Sequence, residues 1–192
     1  MLPSQKIDMK QIAHLSASEQ SDLLRLLDKY PQCFSDDPGF CNLAQHEINL
    51  LPGFKPKRSK AYRVPERLKP LVSKEIQRML DLEVIRPSNS DMVSPLVVVL
   101  KGPGGQDGIR LAVDYSYLNS FTRNEPYPVT DIESIMNRVG GATLIRDVPL
   151  TAFVCDDGIF EFLRTPFGGR ACGSTFIRAM QQVVKPVKGF TD

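Results

Sequence analysis

Six cations crowd into residues 55–67: Lys55, Lys57, Arg58, Lys60, Arg63 and Arg67. Pro52, Pro56, Pro65 and Pro70 punctuate the same stretch. Proline removes a backbone donor and breaks helices, so an extended basic strap is expected there. Cations on an extended segment suit a phosphodiester backbone, and Tyr62, Tyr115 and Tyr117 could stack on bases. The plain alternative is a solvated basic loop. The formal net charge is only +2, so any nucleic-acid argument rests on this local cluster. Other chemistry is thinner. Cys33, Cys41, Cys155 and Cys172 form no Cys-x-x-Cys pair and have only His14 and His46 for company, which favours reduced thiols over a zinc site. The glycine-rich run after Lys101 has no Gly-Lys-Ser/Thr, which argues against a phosphate-cradling P-loop. Asp156 and Asp157 precede Gly158, which is turn chemistry.

Elements must position these groups. Leu23, Leu24, Leu26, Leu27 and Tyr30 fit a short helix ended by Pro31, and residues 1–18 show no period and read as loose. Leu68, Leu71, Val72, Ile76, Met79 and Leu80 form one apolar stripe over Pro65 to Leu82, the clearest helix. VSPLVVVLK and IRLAVDY read as two strands of an antiparallel hairpin with a Gly/Pro-rich tip. Thr130 and Glu133 make a capping box for a helix ended by Gly140 and Gly141. A short strand at ATLIRD follows, then a hairpin of TAFVC and IFEF around Asp157-Gly158. Gly173 to Val184 forms a last helix, with Phe176, Met180, Val183 and Val184 inward. The order predicts an α+β fold with antiparallel sheet.

A chain of 192 residues suits one ordinary domain with a real core. The N-terminus has no apolar signal-peptide core, and the longest apolar run is far shorter than the ~20 residues that span a bilayer. An intracellular protein without membrane association is therefore expected.

Several segments, in order, resemble the reverse transcriptase of gypsy-type LTR retrotransposon Pol polyproteins. They are HEINLLPG, AYRVP, EIQRMLDLEVIRPSNSDMVSPLVVVLK, IRLAVDYSYLN, EPYPVTDIESIMNRVGGAT, TAFVCDDGIFEFLRTPFG and STFIRAM. The match runs from about His46 to the C-terminus. The resemblance implies an incomplete right-hand polymerase, fingers plus partial palm, built of antiparallel β hairpins and packed helices. Residues 1–50 would be an N-terminal linker with a short helix, 51–127 a fingers-like part and 128–192 a partial palm. Lys101 and Arg110 would grip the triphosphate of an incoming dNTP, with Phe167 and Gly168 near its base and the template. Lys55, Lys57, Arg58, Lys60 and Arg63 would touch RNA/DNA primer-template. Asp147 matches the first catalytic aspartate, which in the family shares two Mg2+ ions with an Asp-Asp pair.

The departures from the pattern bear on activity. Asp147 is followed at once by Val148, Pro149, Leu150 and Thr151, so most of an intervening family segment is absent, including the aromatic residue that excludes a ribose 2′-hydroxyl. The sequence stops at KGFTD, where the family continues into a Tyr-x-Asp-Asp hairpin. Ser116 stands where the family usually has Arg, and Gly169 and Gly173 where it prefers Leu and Pro. The expectation is a catalytically dead piece of an RNA-directed DNA polymerase, in which Asp147 is the orphan of a triad and binds Mg2+ unproductively. The alternative is a non-catalytic nucleic-acid-binding remnant. Oligomeric state is not legible.

Overall fold

The structure, a computed structural model, describes residues 3–31, 41–102, 108–124, 143–170 and 172–184. The chain divides into two compact units, Met1–Phe40 and Cys41–Asp192.

The first unit is built on α1 (Ala17–Lys29). Ser16 starts it with a capping box: its amide donates to the Glu19 carboxylate at 2.8 Å while its own Oγ accepts from the Glu19 amide. These bonds hold the Glu19 carboxyl below its ordinary value. The residues before it are not loose as their lack of period implies. They form 3-10 turns at Pro3–Lys6 and Met9–Ile12. Ser4 donates through both its amide and its hydroxyl to Asp28, at 3.0 and 2.7 Å, and Ile12 and Leu27 are buried. Turns this short carry no periodicity to read.

The second unit holds a five-stranded sheet in the order β2-β7-β6-β3-β4. Its strands are β2 (Ile85–Pro87), β3 (Ser94–Leu100), β4 (Ile109–Val113), β6 (Phe153–Cys155) and β7 (Gly158–Phe162). The expected hairpins form: β3 pairs antiparallel with β4, Leu96 opposite Val113, and β6 pairs antiparallel with β7 around Asp156 and Asp157. The sheet is mixed, because β3 and β6 run parallel, Ser94 beside Phe153. A second, two-stranded parallel sheet joins β1 (Cys41–His46) to β5 (Thr143–Ile145). The expected helix at Thr130 to Val139 lies outside the described residues, as does the tip of the β3–β4 hairpin.

Helix α2 (Lys69–Asp81) lies where the stripe puts it, with Pro70 in its first turn, where no helical N–H is missed. It turns Val72 and Ile76 into the core, while Leu71 stays 43% exposed. The core joins these to Ile85, Leu96, Val113, Tyr115, Leu118, Phe153 and Phe160. Each such side chain contributes about 1.5–3 kcal/mol on burial. The β6–β7 turn is latched to the start of α2: Ser73 donates to Asp157 at 2.9 Å and Lys69 pairs with Asp156 at 3.3 Å. Strands β1 and β2 and the short helix α3 (Ser116–Phe121) went unread in the sequence. Helix α4 (Cys172–Val184) closes the described chain.

Candidate functional site

The basic strap is fixed at its middle by backbone. Val93 donates to the Lys57 carbonyl and Ser59 to the Val93 carbonyl, both at 2.9 Å, so Arg58 runs parallel to the entry of β3. Tyr117 donates its hydroxyl to the Lys55 carbonyl at 2.8 Å, and Val64 buries its side chain farther along. These anchors use main chain and an apolar residue, which leaves the cations outward. Lys55, Lys57, Arg58, Lys60, Arg63 and Arg67 are all exposed. Among the described residues none of them forms an ion pair. Lys57 is the most constrained, its Nζ 5.1 Å from the centre of the Tyr117 ring.

The hairpin carries two more cations. The Lys101 amide donates to the Gly108 carbonyl at 2.9 Å, which extends the β3–β4 ladder past Leu100 and Ile109. Arg110 lies opposite Val99, two residues on from Gly108. Alternation along each strand then puts Lys101 and Arg110 on one face as diagonal neighbours, with backbones roughly 7–8 Å apart. Val97, Val99 and Ala112 share that face by the same register.

The three tyrosines separate into different roles. Tyr115 is 2% exposed and donates to the Thr151 carbonyl at 2.8 Å; burial pushes its phenol well above its ordinary range. It belongs to the core and cannot stack on a base, which corrects the expectation from sequence. Tyr117 packs among Phe54 and Phe121, ring centres 6.4 and 5.3 Å away. Tyr62 is 50% exposed and donates to Asp114 at 2.8 Å, so it alone keeps a free ring face at the foot of the hairpin.

Phe167 and Gly168 sit on the loop between β7 and α4. Phe167 is exposed, and Gly168 has φ +90°, a left-handed backbone that favours glycine. Asn119 of α3 clamps this loop. Its Nδ2 donates to the Gly168 carbonyl at 2.9 Å, and its Oδ1 accepts from the Arg170 amide at 2.8 Å.

Asp147 follows β5 and is half-buried. Its Oδ2 accepts the Ile48 amide at 2.8 Å, which ties it to the chain leaving β1. Magnesium takes six oxygen ligands in octahedral geometry, and two-metal catalysis needs several carboxylates together. Among the described residues no group of three acidic, histidine or cysteine side chains is placed to hold a metal. Asp156 and Asp157 are committed to the latch on α2. The described donor set therefore does not fit a two-metal centre.

A buried polar cluster, absent from the sequence-based reading, links α4 to β1. His46 is 1% exposed, with Nδ1 2.9 Å from Thr175 Oγ1 and Nε2 3.4 Å from Cys172 Sγ. Burial pushes the Cys172 thiol up to about 12, so it stays protonated and unreactive. A cavity of about 10 Å³, room for one water, adjoins His46, Tyr115, Thr151 and Cys172. No described helix is long and apolar enough to cross a membrane.

The mixed α+β fold is that of known reverse transcriptases. A prototype foamy virus protease–reverse transcriptase superposes with a TM-score of 0.70 at 21% identity, over 90% of this chain and 25% of that one. A foamy viral protease–reverse transcriptase in complex with dsDNA gives 0.69 at 21% identity, over 99% of this chain and 41% of that one. No protein-family profile matches the chain. Among sequence relatives, the retrovirus-related Pol polyprotein from transposon 297 of Drosophila melanogaster is 30% identical over 205 residues, covering 95% of this chain and 19% of that protein. That from transposon opus, also of Drosophila melanogaster, is 31% identical, covering 68% of this chain and 15% of that protein. The chain is a homologue of the reverse transcriptase of retrovirus-related Pol polyproteins of the gypsy transposon type. It spans about a fifth of the length of the relatives it matches. The match to transposon 297 covers 205 residues, more than the 192 of this whole chain, so the relative carries residues inside the match that this chain lacks.

Proposed function

We propose that this chain binds a primer–template duplex through the strap and the β3–β4 hairpin, and that as a 192-residue polypeptide it does not synthesise DNA. In this reading 51–127 corresponds to fingers and 128–192 to a partial palm. The observation that carries it is the set of six exposed cations on a strap held by its own backbone, none with a carboxylate partner among the described residues. A solvated surface normally interleaves both signs, and long cations left without acids fit an external polyanion. The Lys101–Arg110 face, with its apolar floor of Val97, Val99 and Ala112, has the character to receive a nucleotide: base on the floor, phosphates on the cations. Phe167 and Gly168 would border the same ligand. Asp147 supplies one carboxylate and would at most hold a magnesium ion loosely, which supports binding without turnover.

The test is fluorescence anisotropy of a labelled RNA/DNA primer–template across a salt series. Affinity should fall linearly with log salt, and Lys60→Ala with Arg63→Ala should shallow the slope by about 1 for each phosphate contact removed. Lys101→Ala with Arg110→Ala should act likewise and also weaken dNTP binding. Binding indifferent to salt and to all four substitutions would show an ordinary basic surface. Primer extension on poly(rA)/oligo(dT) with Mg2+ should give background only; incorporation abolished by Asp147→Asn would overturn the second half of the proposal.

A further inference from the structure

Two arginines, Arg123 and Arg170, come to the C-terminal end of α3. The Arg170 Nη1 donates to the Asn119 carbonyl at 3.1 Å and to the Thr122 carbonyl at 3.4 Å. The Thr122 carbonyl belongs to the peptide that leads into Arg123. By standard backbone dimensions the Arg170 guanidinium therefore lies within roughly 6 Å of the Arg123 Cα. The Arg123 backbone is fixed as well, its amide donating to the Asn49 carbonyl at 2.8 Å. Both arginines are exposed, and among the described residues neither has an ion pair. Arg170 spends one nitrogen on helix carbonyls, where a cation also suits the helix dipole. That leaves the rest of its fork, and the whole Arg123 guanidinium, without a described acceptor. Like charges rooted this close repel unless an anion lies between them.

We propose that Arg123 and Arg170 form a second phosphate clamp, which takes the sugar–phosphate backbone of the bound nucleic acid where it crosses the end of α3. The inference rests on the nucleic-acid-binding reading above and adds a contact point to it. Two guanidinium forks rooted this close can reach the non-bridging oxygens of one phosphodiester, which accept bidentate hydrogen bonds. One further cation lies along the same helix: Lys57, over Tyr117 on its flank. A backbone passing along α3 would meet Lys57 near the start of the helix and the arginine pair at its end.

The experiment compares the 192-residue chain with Arg123→Ala, Arg170→Ala and Lys60→Ala, by anisotropy on the same labelled duplex over the same salt series, with a thermal melt of each. Arg123→Ala removes no described side-chain contact, so its melt should match the parent. Its log-affinity against log-salt slope should be shallower by about 1, with affinity several-fold lower at the lowest salt. Arg170→Ala should shallow the slope too, with a lower melting temperature from the lost α3 carbonyl contacts. If the parent and Lys60→Ala behave as the binding reading requires while Arg123→Ala keeps the parental slope, the clamp is wrong and the binding reading stands. If the parent fails to bind the duplex, both fall.

Discussion

At the scale of single residues, polar groups in this chain are mostly committed to holding the fold. Asp147 shows it. The aspartate that the resemblance casts as catalytic accepts the Ile48 amide at 2.8 Å and so ties the end of β5 to the chain leaving β1. Asp147→Ala should leave that amide without its partner and lower stability by about 1–3 kcal/mol in a denaturant titration. A neutral result would mean that the carboxylate is a bystander in the fold. The resemblance singles out Asp147, Lys101 and Arg110 because its motifs are contiguous around each of them. His46 with Cys172, and Arg170 with the end of α3, were illegible, since each pair is far apart in sequence and is joined only by the fold. The Cys172 pair carries a pH signature. Its thiol rises from the ordinary 9.0 to about 12 on burial, so the unfolded state loses its proton first. That contribution is fully present below pH 9 and is lost as the pH climbs toward 12, so the melting temperature should drop across that alkaline window. Cys172→Ala should flatten part of the drop, and an unchanged profile would move the cause to the buried phenol of Tyr115.

Among elements, those with a strong local period were legible and those defined by distant partners were not. Helix α2 and the β3–β4 and β6–β7 hairpins write their own pattern in stripe, alternation and Asp-Gly turn. Strand β1 has the sequence CNLAQH, with no β-branched residue, and its partner β5 lies some hundred residues on, so nothing local marks it. Strand β2 is three residues long and ends in Pro87, and α3 has six residues, too few for a helical period to show. In the proposed reading the strap is the element on which binding turns, and beyond Ser59 it is held by buried Val64 and by the hydrogen bond of Tyr62 to Asp114 at 2.8 Å. Asp114 also accepts the Ser116 hydroxyl and amide, and these bonds with Tyr62 hold its carboxyl below the ordinary 3.8. A lowered carboxyl stabilises above its unfolded value and loses that contribution as the pH falls through its folded one. The protection of the Ser116 amide against exchange should therefore persist at neutral pH and collapse only below about pH 3.8. At neutral pH Tyr62→Phe should speed tryptic cleavage after Lys60 and Arg63 while the core melts as before. Equal cleavage rates would show that backbone pairing at Val93 suffices to hold the strap.

For the whole molecule, the question is which parts can stand alone. The unit Met1–Phe40 buries Ile12 and Leu27 and is fastened by the Ser16 capping box and the Ser4–Asp28 bonds. Two fully buried aliphatic side chains contribute about 3–6 kcal/mol. Ordering each residue costs about 1–2 kcal/mol of backbone entropy, and helices shorter than about 12–15 residues are marginal in water. A peptide of residues 1–40 should therefore show weak helicity by circular dichroism and no cooperative melt. The unit Cys41–Asp192 is different in kind. Its core ties α2, α3 and the five-stranded sheet through Ile76, Leu96, Leu118, Phe153 and Phe160, and its charged latches lie within the same unit. Glu161, 6% exposed, is fully partnered there, by Arg86 Nε at 2.7 Å and the Ser88 hydroxyl at 2.6 Å, so β2 and β7 carry no buried unpaired charge. A chain beginning at Cys41 should fold to a cooperative melt and bind the primer–template with the parental salt slope, because every cation of the strap, the hairpin and the proposed clamp lies beyond that point. Loss of duplex binding on removing residues 1–40, with the melt retained, would assign part of the interface to the first unit and redraw the site.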